Sequence, residues 1–369
     1  MPVYLDHAAT TPVFPEVAAA MLEQLSRVGN ASSLHTAGRA ARRVVEESRE
    51  RLAAAVGARP SEVVFTSGGT ESDNLAVAGV FRAQRDADPR RIRLLVSTIE
   101  HHAVLDCVDA LVAREGAQVE WLPCDSDGVV AVGAVQAAIE ADPGSVALVS
   151  VMWANNEIGT VQDVAAIAAH ARAHGIPMHT DAVQAIGHLP VDFAACGADL
   201  LTMTGHKVGG PVGTAALLVR RDRAVVPLIN GGGQERQIRS GTLDTVGILG
   251  LSLAVERAVA HLDEQGPRLT ALRDAIIDGA ARLGYGIRPG GLWRRGDWTS
   301  RLAGNAHLLV PGCEGDSLLY LLDAAGIECS TGSACQAGVP QASHVLLATG
   351  LSEREARGAL RLTLGHTST

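Results

Sequence analysis

Residues 198–207 have the sequence ADLLTMTGHK, in which an apolar run leads into a short polar turn. The run predicts a buried strand, and open α/β sheets bind their ligands at the carboxyl ends of such strands. The turn ends in Lys207, the only lysine among 31 lysine and arginine residues. Since an amine can lose its proton and act as a nucleophile whereas a guanidinium stays protonated, this amine indicates covalent chemistry. An arginine-biased composition with one incidental lysine is the competing explanation.

The composition is typical of a globular α/β protein. The chain has 369 residues, of which 47% are hydrophobic and 19% charged, and a chain of this length usually forms two domains. A net charge of −9 provides no basic field, so we expect no direct nucleic-acid partner. We also expect no leader peptide, no membrane partner and a cytoplasmic location. The six cysteines include no CxxC pair, which favours neither a disulfide framework nor a metal site.

Short apolar runs alternate with alanine-rich helical stretches in the first two thirds of the chain. The runs are 63–66, 92–97, 119–122, 147–153, 177–180, 200–204 and 214–219. This alternation predicts a large, mostly parallel sheet with helices on both faces. Helices at about 245–261 and 268–283 follow, and then a smaller C-terminal α/β pattern. We therefore expect a large domain over 13–245 and a small domain formed by 1–12 and 246–369.

A glycine-rich turn follows the first of these predicted strands. Residues 67–72, SGGTES, begin a predicted helix. Its free backbone N–H groups, with glycines that allow close approach, suit a phosphate. Taken alone, this motif is explained equally well by an ordinary strand-to-helix turn that binds no ligand. The chain has no GxxxxGK[ST] motif, which disfavours a P-loop nucleotide site.

A second motif, HTDAVQ at residues 179–184, places Asp181 at a predicted strand end. A buried carboxylate is costly unless a cation pairs with it, and a protonated pyridine nitrogen would be such a cation. An aspartate that only caps a helix is the alternative. Asp181 precedes Lys207 by about one strand–helix–strand step, so the two side chains can face one crevice from neighbouring strands.

Four predicted strand ends supply polar side chains to one edge of the sheet, namely Thr70, His101, Asn156 and Asp181. A histidine in this crevice can stack on a planar ring or move protons. Together with Lys207, these residues predict a pyridoxal-phosphate site. Lysine would form the Schiff base, and aspartate would keep the ring nitrogen protonated.

The ordered set of motifs resembles the cysteine desulfurases of iron–sulfur cluster assembly, which are fold-type I pyridoxal-phosphate enzymes. The matching segments run almost end to end: YLDHAATTP at 4–12, NASSLH at 30–35, TESDN at 70–74, NNE at 155–157, GHK at 205–207, RSGT at 239–242 and RLTLG at 361–365. The resemblance implies the fold of that class, with a large, mostly parallel sheet domain and a smaller C-terminal α/β domain.

The resemblance also implies a role for each matching residue. Lys207 would be the Schiff-base lysine, Asp181 the partner of the ring nitrogen, and His101 the catalytic residue that stacks on the ring. The remaining cofactor and substrate contacts would come from Gln184 at the phenolate oxygen, Gly69, Thr70, Thr204, His206 and the other subunit's Thr242 at the phosphate, and Asn156 and Arg361 at the substrate carboxylate. Thr204 stands where the family more often has serine, and the hydroxyl is kept.

The sulfur-handling residue implied by the family is Cys335, in the motif GSAC at 332–335. The expected function is a homodimeric enzyme that converts L-cysteine to L-alanine. A persulfide on Cys335 would pass to an acceptor protein, either an iron–sulfur scaffold or an enzyme of RNA thiolation or DNA sulfur modification. Cys329 is the rival thiol, although its setting predicts a strand. The alternative functions are a selenocysteine lyase, another class-V aminotransferase-type enzyme, and a non-catalytic sulfur-relay subunit.

Overall fold

The structure, a computed structural model, describes residues 2–332 and 342–369. Its strands are β1 (Val3–Tyr4), β2 (Val63–Thr66), β3 (Arg93–Ser97), β4 (Gln118–Leu122), β5 (Val146–Ser150), β6 (Met178–Asp181), β7 (Leu200–Thr204), β8 (Ala215–Val219), β9 (Arg288–Pro289), β10 (Asn305–Leu309), β11 (Ile327–Glu328) and β12 (Ala359–Thr363). Its helices are α1 (Pro15–Leu25), α2 (Thr36–Ala55), α3 (Gly69–Ala87), α4 (His102–Glu115), α5 (Val132–Ala141), α6 (Val164–Ala173), α7 (Phe193–Cys196), α8 (Thr245–Ala260), α9 (Leu262–Arg282), α10 (Gly315–Ala324), α11 (His344–Ala348) and α12 (Glu353–Arg357).

The central sheet has seven strands in the order β2-β8-β7-β6-β5-β3-β4. The pairs among β4, β3, β5, β6 and β7 are parallel, and β8 runs antiparallel to both β7 and β2. This architecture confirms the predicted large, mostly parallel sheet. The smaller C-terminal pattern forms an antiparallel sheet in the order β12-β10-β9, and β1 pairs with β11. The domain boundaries at 13 and 245 stay a prediction.

Helices cover both faces of the central sheet, so its inner strands β5, β6 and β7 are buried at every position. The consecutive residues Leu148 and Val149 of β5 are both fully buried, and they belong to different hydrophobic clusters. Successive side chains of a strand point to opposite faces, which explains why one strand supplies both cores. On one face, α8 packs against α1 and α2. The predicted continuous apolar runs therefore reflect burial on two sides.

Two local predictions differ from the structure. The helix expected from residue 268 begins at Leu262 and continues through Pro267. The glycines and arginines of residues 288–301 predict a surface loop, but this stretch begins as a strand paired with β10 and ends in Arg301, which is 1% exposed. The Arg301 guanidinium donates to the carbonyl oxygens of Gly290, Leu292 and Asn305. These acceptors satisfy its N–H groups, and this allows a charged side chain to be buried.

Within residues 2–332 and 342–369, no single helix is long and apolar enough to cross a bilayer. Only α8 and α9 taken together meet the length and composition of a span, and these two helices are bent by 72°.

A buried ion pair holds the loop that includes the RSGT motif of residues 239–242. Glu235 is 1% exposed and accepts from both terminal nitrogens of Arg49, at 2.6 and 2.9 Å. Glu235 also accepts from the backbone N–H of Phe65 in β2. Nearby, Arg239 pairs with Glu71 of α3 at 2.9 Å. The loop is therefore tied to the strand and helix on either side of the glycine-rich turn.

Replacing Glu235 by alanine should lower the free energy of unfolding by about 3–5 kcal/mol, because it leaves the Arg49 charge buried without its partner. Glu46→Ala is the matched control, since Glu46 contacts the same Arg49 at 3.2 Å from an exposed position. That change should cost about 1 kcal/mol or less. Urea denaturation of both variants measures the difference. An equal loss of unfolding free energy in the two variants would show that the buried pair stabilises the protein no more than the exposed pair does.

Candidate active site

A cavity of about 430 Å³ opens at the carboxyl edge of the central sheet. Ten predicted site residues line it: Gly69, Thr70, His101, Asn156, Asp181, Gln184, Thr204, His206, Lys207 and Arg361. They come from the ends of five strands of the central sheet and from β12 of the small sheet. Thr242 is exposed and is not among the lining residues. Cys335 lies outside the described residues.

Lys207 ends a single 3-10 turn that directly follows β7. Its Nζ atom donates to the carbonyl oxygen of Ala8 and, at 2.7 Å, to that of Ala9. Burial, together with the positive charge of Arg361, lowers the pKa of Lys207 from its ordinary 10.5 to about 8, although Asp6 and Asp181 act in the opposite direction. The amine can therefore lose its proton near neutral pH, as a nucleophile or base must.

Asp181 is the last residue of β6, and it stands opposite Thr202 of the neighbouring parallel strand β7. It is 5% exposed. Burial, followed by the nearby Asp73 charge, raises the pKa of Asp181 to about 7. Its Oδ1 atom accepts from the N–H of Val183 at 2.8 Å, so the side chain also caps the following turn. A cation placed at Asp181 would relieve the cost of its burial.

One end of the cavity is formed by the start of α3. The first N–H groups of this helix have no partner within the helix, and Thr70, Thr204 and His206 line the space around them. A Cβ atom added at Gly69 would lie 3.2 Å from Val183 Cγ2, so glycine leaves room between this turn and the segment that follows β6. The donor set suits a phosphate.

Arg361 reaches this cavity from β12 of the small sheet and is 5% exposed. It donates to the backbone oxygen of Asn156 at 3.0 Å and to the carboxylate of Asp6 at 2.8 Å. Its Nε atom has no hydrogen-bond partner in the described part of the chain. The small sheet thus contributes a fixed guanidinium to a cavity that the large sheet otherwise forms.

His101 caps α4, and its Nδ1 atom accepts from the N–H of Ala103 at 3.1 Å. His101 lines the cavity. Partial loss of hydration, and secondly the charge of Lys207, lowers the pKa of His101 to about 4. The imidazole is therefore neutral at physiological pH. Gln184 donates to the carbonyl oxygen of Ala8 at 3.1 Å.

Several residues of the site were missed by the sequence reasoning. Asp73 also lines the cavity. It follows Thr70 by three residues in a predicted helix, so helical spacing could have placed both on one face. Asp6 and the carbonyl oxygens of Ala8 and Ala9 hold the two cations of the site. Backbone acceptors leave no signal in a sequence, so the contacts of Ala8 and Ala9 with Lys207 could not have been predicted.

Comparison with known proteins identifies the family of this chain. Residues 3–369 match the family model "Aminotransferase class-V". The chain is 55% identical to an IscS-like cysteine desulfurase of Mycobacterium tuberculosis, a match that covers 99% of this chain and 92% of that protein. Two solved structures are each 34% identical in sequence to this chain. A NifS-like protein has a TM-score of 0.89, with 100% of this chain and 95% of that chain covered. The structure entitled "SspA in complex with cysteine" has a TM-score of 0.82, with 100% of both chains covered.

The large, mostly parallel sheet with Lys207 at a strand end, together with the matches above, makes this protein a fold-type I enzyme. The chain belongs to the class-V aminotransferase family and, within it, to the cysteine desulfurases. These enzymes use pyridoxal 5'-phosphate. The cavity fits this group, because it combines a phosphate-sized set of donors, a buried carboxylate for a ring cation and one primary amine.

In the cofactor-free protein, Lys207 should lose its proton with a midpoint near pH 8. The rate of its acylation, followed by peptide mass spectrometry between pH 6 and pH 10, measures this midpoint. Asp6→Asn should move the midpoint lower, because the Asp6 charge favours the ammonium form. A midpoint close to the ordinary 10.5, or no response to Asp6→Asn, would contradict the electrostatics described above.

Proposed function

We propose that this cysteine desulfurase converts L-cysteine to L-alanine and passes the sulfur, as a persulfide on Cys335, to an acceptor protein. The observation that supports this best is the meeting of Lys207, Asp181 and Arg361 around one cavity. An amine, a carboxylate for the ring nitrogen and a guanidinium for a substrate carboxylate are what the reaction requires. The same set of charged groups argues against a non-catalytic relay subunit.

In this mechanism, each group of the chain has a distinct task. The bound cofactor supplies an electron sink for the substrate α-carbon. Arg361 and Asn156 bind the substrate carboxylate and fix its orientation. Lys207 takes the proton from the α-carbon, for which its lowered pKa suits it. Asp181 would keep the ring nitrogen protonated, and His101, neutral at physiological pH, would pack on the ring face.

The sulfur step requires a thiolate from Cys335. A new S–S bond forms between Cys335 and the substrate sulfur while the substrate's carbon–sulfur bond breaks. The electron pair of that bond stays on the carbon fragment, which gains a proton and leaves as alanine. Ser330 and Gly332 line the cavity, and Cys335 is only three residues further along the chain. This proximity along the chain supports Cys335 as the nucleophile.

The proposal includes a cytoplasmic homodimer in which Thr242 of one subunit completes the phosphate site of the other. Thr242 is exposed on a loop that the Arg49–Glu235 pair holds in place. An exposed hydroxyl on a fixed loop is available to a second copy of the chain. The proposed acceptor is an iron–sulfur scaffold, by similarity to the IscS-like relative.

Product analysis tests the function directly. With L-cysteine, the purified enzyme should form alanine and protein-bound sulfur in equal amounts. Selenocysteine as the only substrate accepted would indicate a lyase for that amino acid. Formation of a keto acid that depends on an added amino acceptor would indicate an aminotransferase. The absence of alanine from a protein that contains its cofactor would support a relay subunit.

Cys335→Ala should keep the cofactor and its yellow colour but accumulate no persulfide, because Lys207 and the phosphate site are unchanged. Cys329→Ala should transfer sulfur at nearly the normal rate. Burial, followed by the Asp6 charge, raises the pKa of Cys329 to about 11, so little thiolate forms there at neutral pH. Mass spectrometry after brief exposure to L-cysteine measures both variants. Persulfide on Cys329 and none on Cys335 would overturn the assignment.

Mixed dimers test the shared phosphate site. Lys207→Ala and Thr242→Ala dimers should each bind cofactor poorly. A hybrid dimer should recover one normal site, since the Lys207→Ala subunit still supplies Thr242 to a partner that has its lysine. Cofactor content of purified hybrids gives the readout, and about half of the wild-type content is expected. Hybrids no better than the two parents would exclude a contribution across subunits.

A further inference from the structure

A second buried carboxyl group, Asp73 of α3, has no task in the mechanism above. Asp73 is 1% exposed and lines the same cavity as Asp181. Its Oδ1 atom has no hydrogen-bond partner among the described residues. Because a buried carboxyl oxygen without a partner is costly, the place of Asp73 beside the cofactor cavity requires an explanation.

His179 links Asp73 to the strand that ends in Asp181. Its Nε2 atom lies 3.5 Å from Asp73 Oδ1. The ring orientation is fixed by Ser150 Oγ at Nδ1, 2.9 Å away, and by Thr202 Oγ1 at Nε2, 3.1 Å away. His179 and Asp181 are two positions apart in β6, so their side chains leave the same face of the sheet.

We propose that Asp73 is a positioning residue for the cofactor, whose carboxylate adds a second negative charge beside Asp181 and strengthens the binding of a protonated pyridine ring. The inference rests on the proposed function, because that function places the ring nitrogen at Asp181. If the His179 ring that links the two residues is neutral, it does not cancel the negative charge of Asp73. Burial lowers the pKa of His179 to about 4, so its ring is neutral at physiological pH.

The charge on Asp73 depends on pH. Burial raises the pKa of Asp73 to about 7, and a hydrogen bond with Thr202 opposes this shift. The carboxylate is therefore mostly protonated at pH 6 and mostly ionised at pH 8.5. The charge, and with it the added affinity, is present above the pKa and lost as the pH falls through it.

Comparison of each variant with wild type at the same pH separates the titration of Asp73 from that of its neighbours. Burial raises the pKa of Glu100 well above its ordinary value, and Glu100 is not among the residues that line the cavity. Burial also raises the pKa of the Cys107 thiol on α4 to about 12. Asp181 also titrates near pH 7 in the cofactor-free protein, but its contribution cancels when Asp73→Asn is compared with wild type at the same pH. Lys207, beside Asp181, is unchanged in all the variants compared below.

The test measures binding of 4'-deoxypyridoxine 5'-phosphate to the cofactor-free, full-length protein. This probe has the ring and the phosphate but cannot bond covalently to Lys207. Asp73→Asn should bind it as wild type does at pH 6. At pH 8.5 it should bind about tenfold more weakly, the effect of one pKa unit on the ring nitrogen. A lost packing contact would instead weaken binding equally at both pH values.

Two further variants sharpen the test. Glu100→Gln changes a buried carboxyl group that does not line the cavity, so the affinity of this variant relative to wild type should not vary with pH. Thr202→Val removes the hydroxyl that favours ionised Asp73. The pKa of Asp73 should then rise, and the gain in affinity should move to higher pH. This second variant keeps the proposal testable if Asp73→Asn does not fold.

The outcomes separate this inference from the proposed function. A ratio of Asp73→Asn to wild-type affinity that is the same at pH 6 and pH 8.5 overturns the inference. Unchanged binding of the probe to Asp181→Asn at both pH values overturns the placement of the ring nitrogen and the inference with it. Weakened binding to Asp181→Asn, combined with a pH-dependent loss in Asp73→Asn only, supports both.

Discussion

The burial of ionisable groups at the carboxyl edge of the central sheet is the constraint on which the rest of the structure depends. Removing a charge from water costs several kcal/mol unless a partner replaces the lost hydration. Asp181 and Arg361 are each 5% exposed. Lys207 is half-buried between them and the N-terminal segment. Each of these groups therefore imposes a requirement on the chain that surrounds it.

The N-terminal segment meets two of these requirements. The carbonyl oxygens of Ala8 and Ala9 accept from Lys207, and Asp6 accepts from Arg361. Asp6 follows β1, which pairs with β11, and Arg361 lies in β12. Residues near the start of the chain are thereby joined to its C-terminal part and to the lysine of the large sheet. The cavity consequently depends on distant parts of the chain.

The sequence predicted the parts of the fold that follow from local patterns. The runs 63–66 and 200–204 were predicted with the bounds of β2 and β7, because each apolar run ends at a polar turn. Strand β6 ends one residue later than predicted, since Asp181 continues the ladder with Thr202. The burial of Arg301 could not be predicted, because its carbonyl acceptors become neighbours only after folding. The roles of the site residues, including Cys335, stay predictions.

Reduction with borohydride tests the central claim most directly. Treatment of the cofactor-loaded protein should fix the cofactor irreversibly to one amine, because Lys207 is the only lysine in the chain. Peptide mass spectrometry should then find one phosphopyridoxyl group per subunit, on Lys207. A label on the N-terminal amine, or a protein that forms alanine from cysteine yet gives no label on Lys207, would contradict the account.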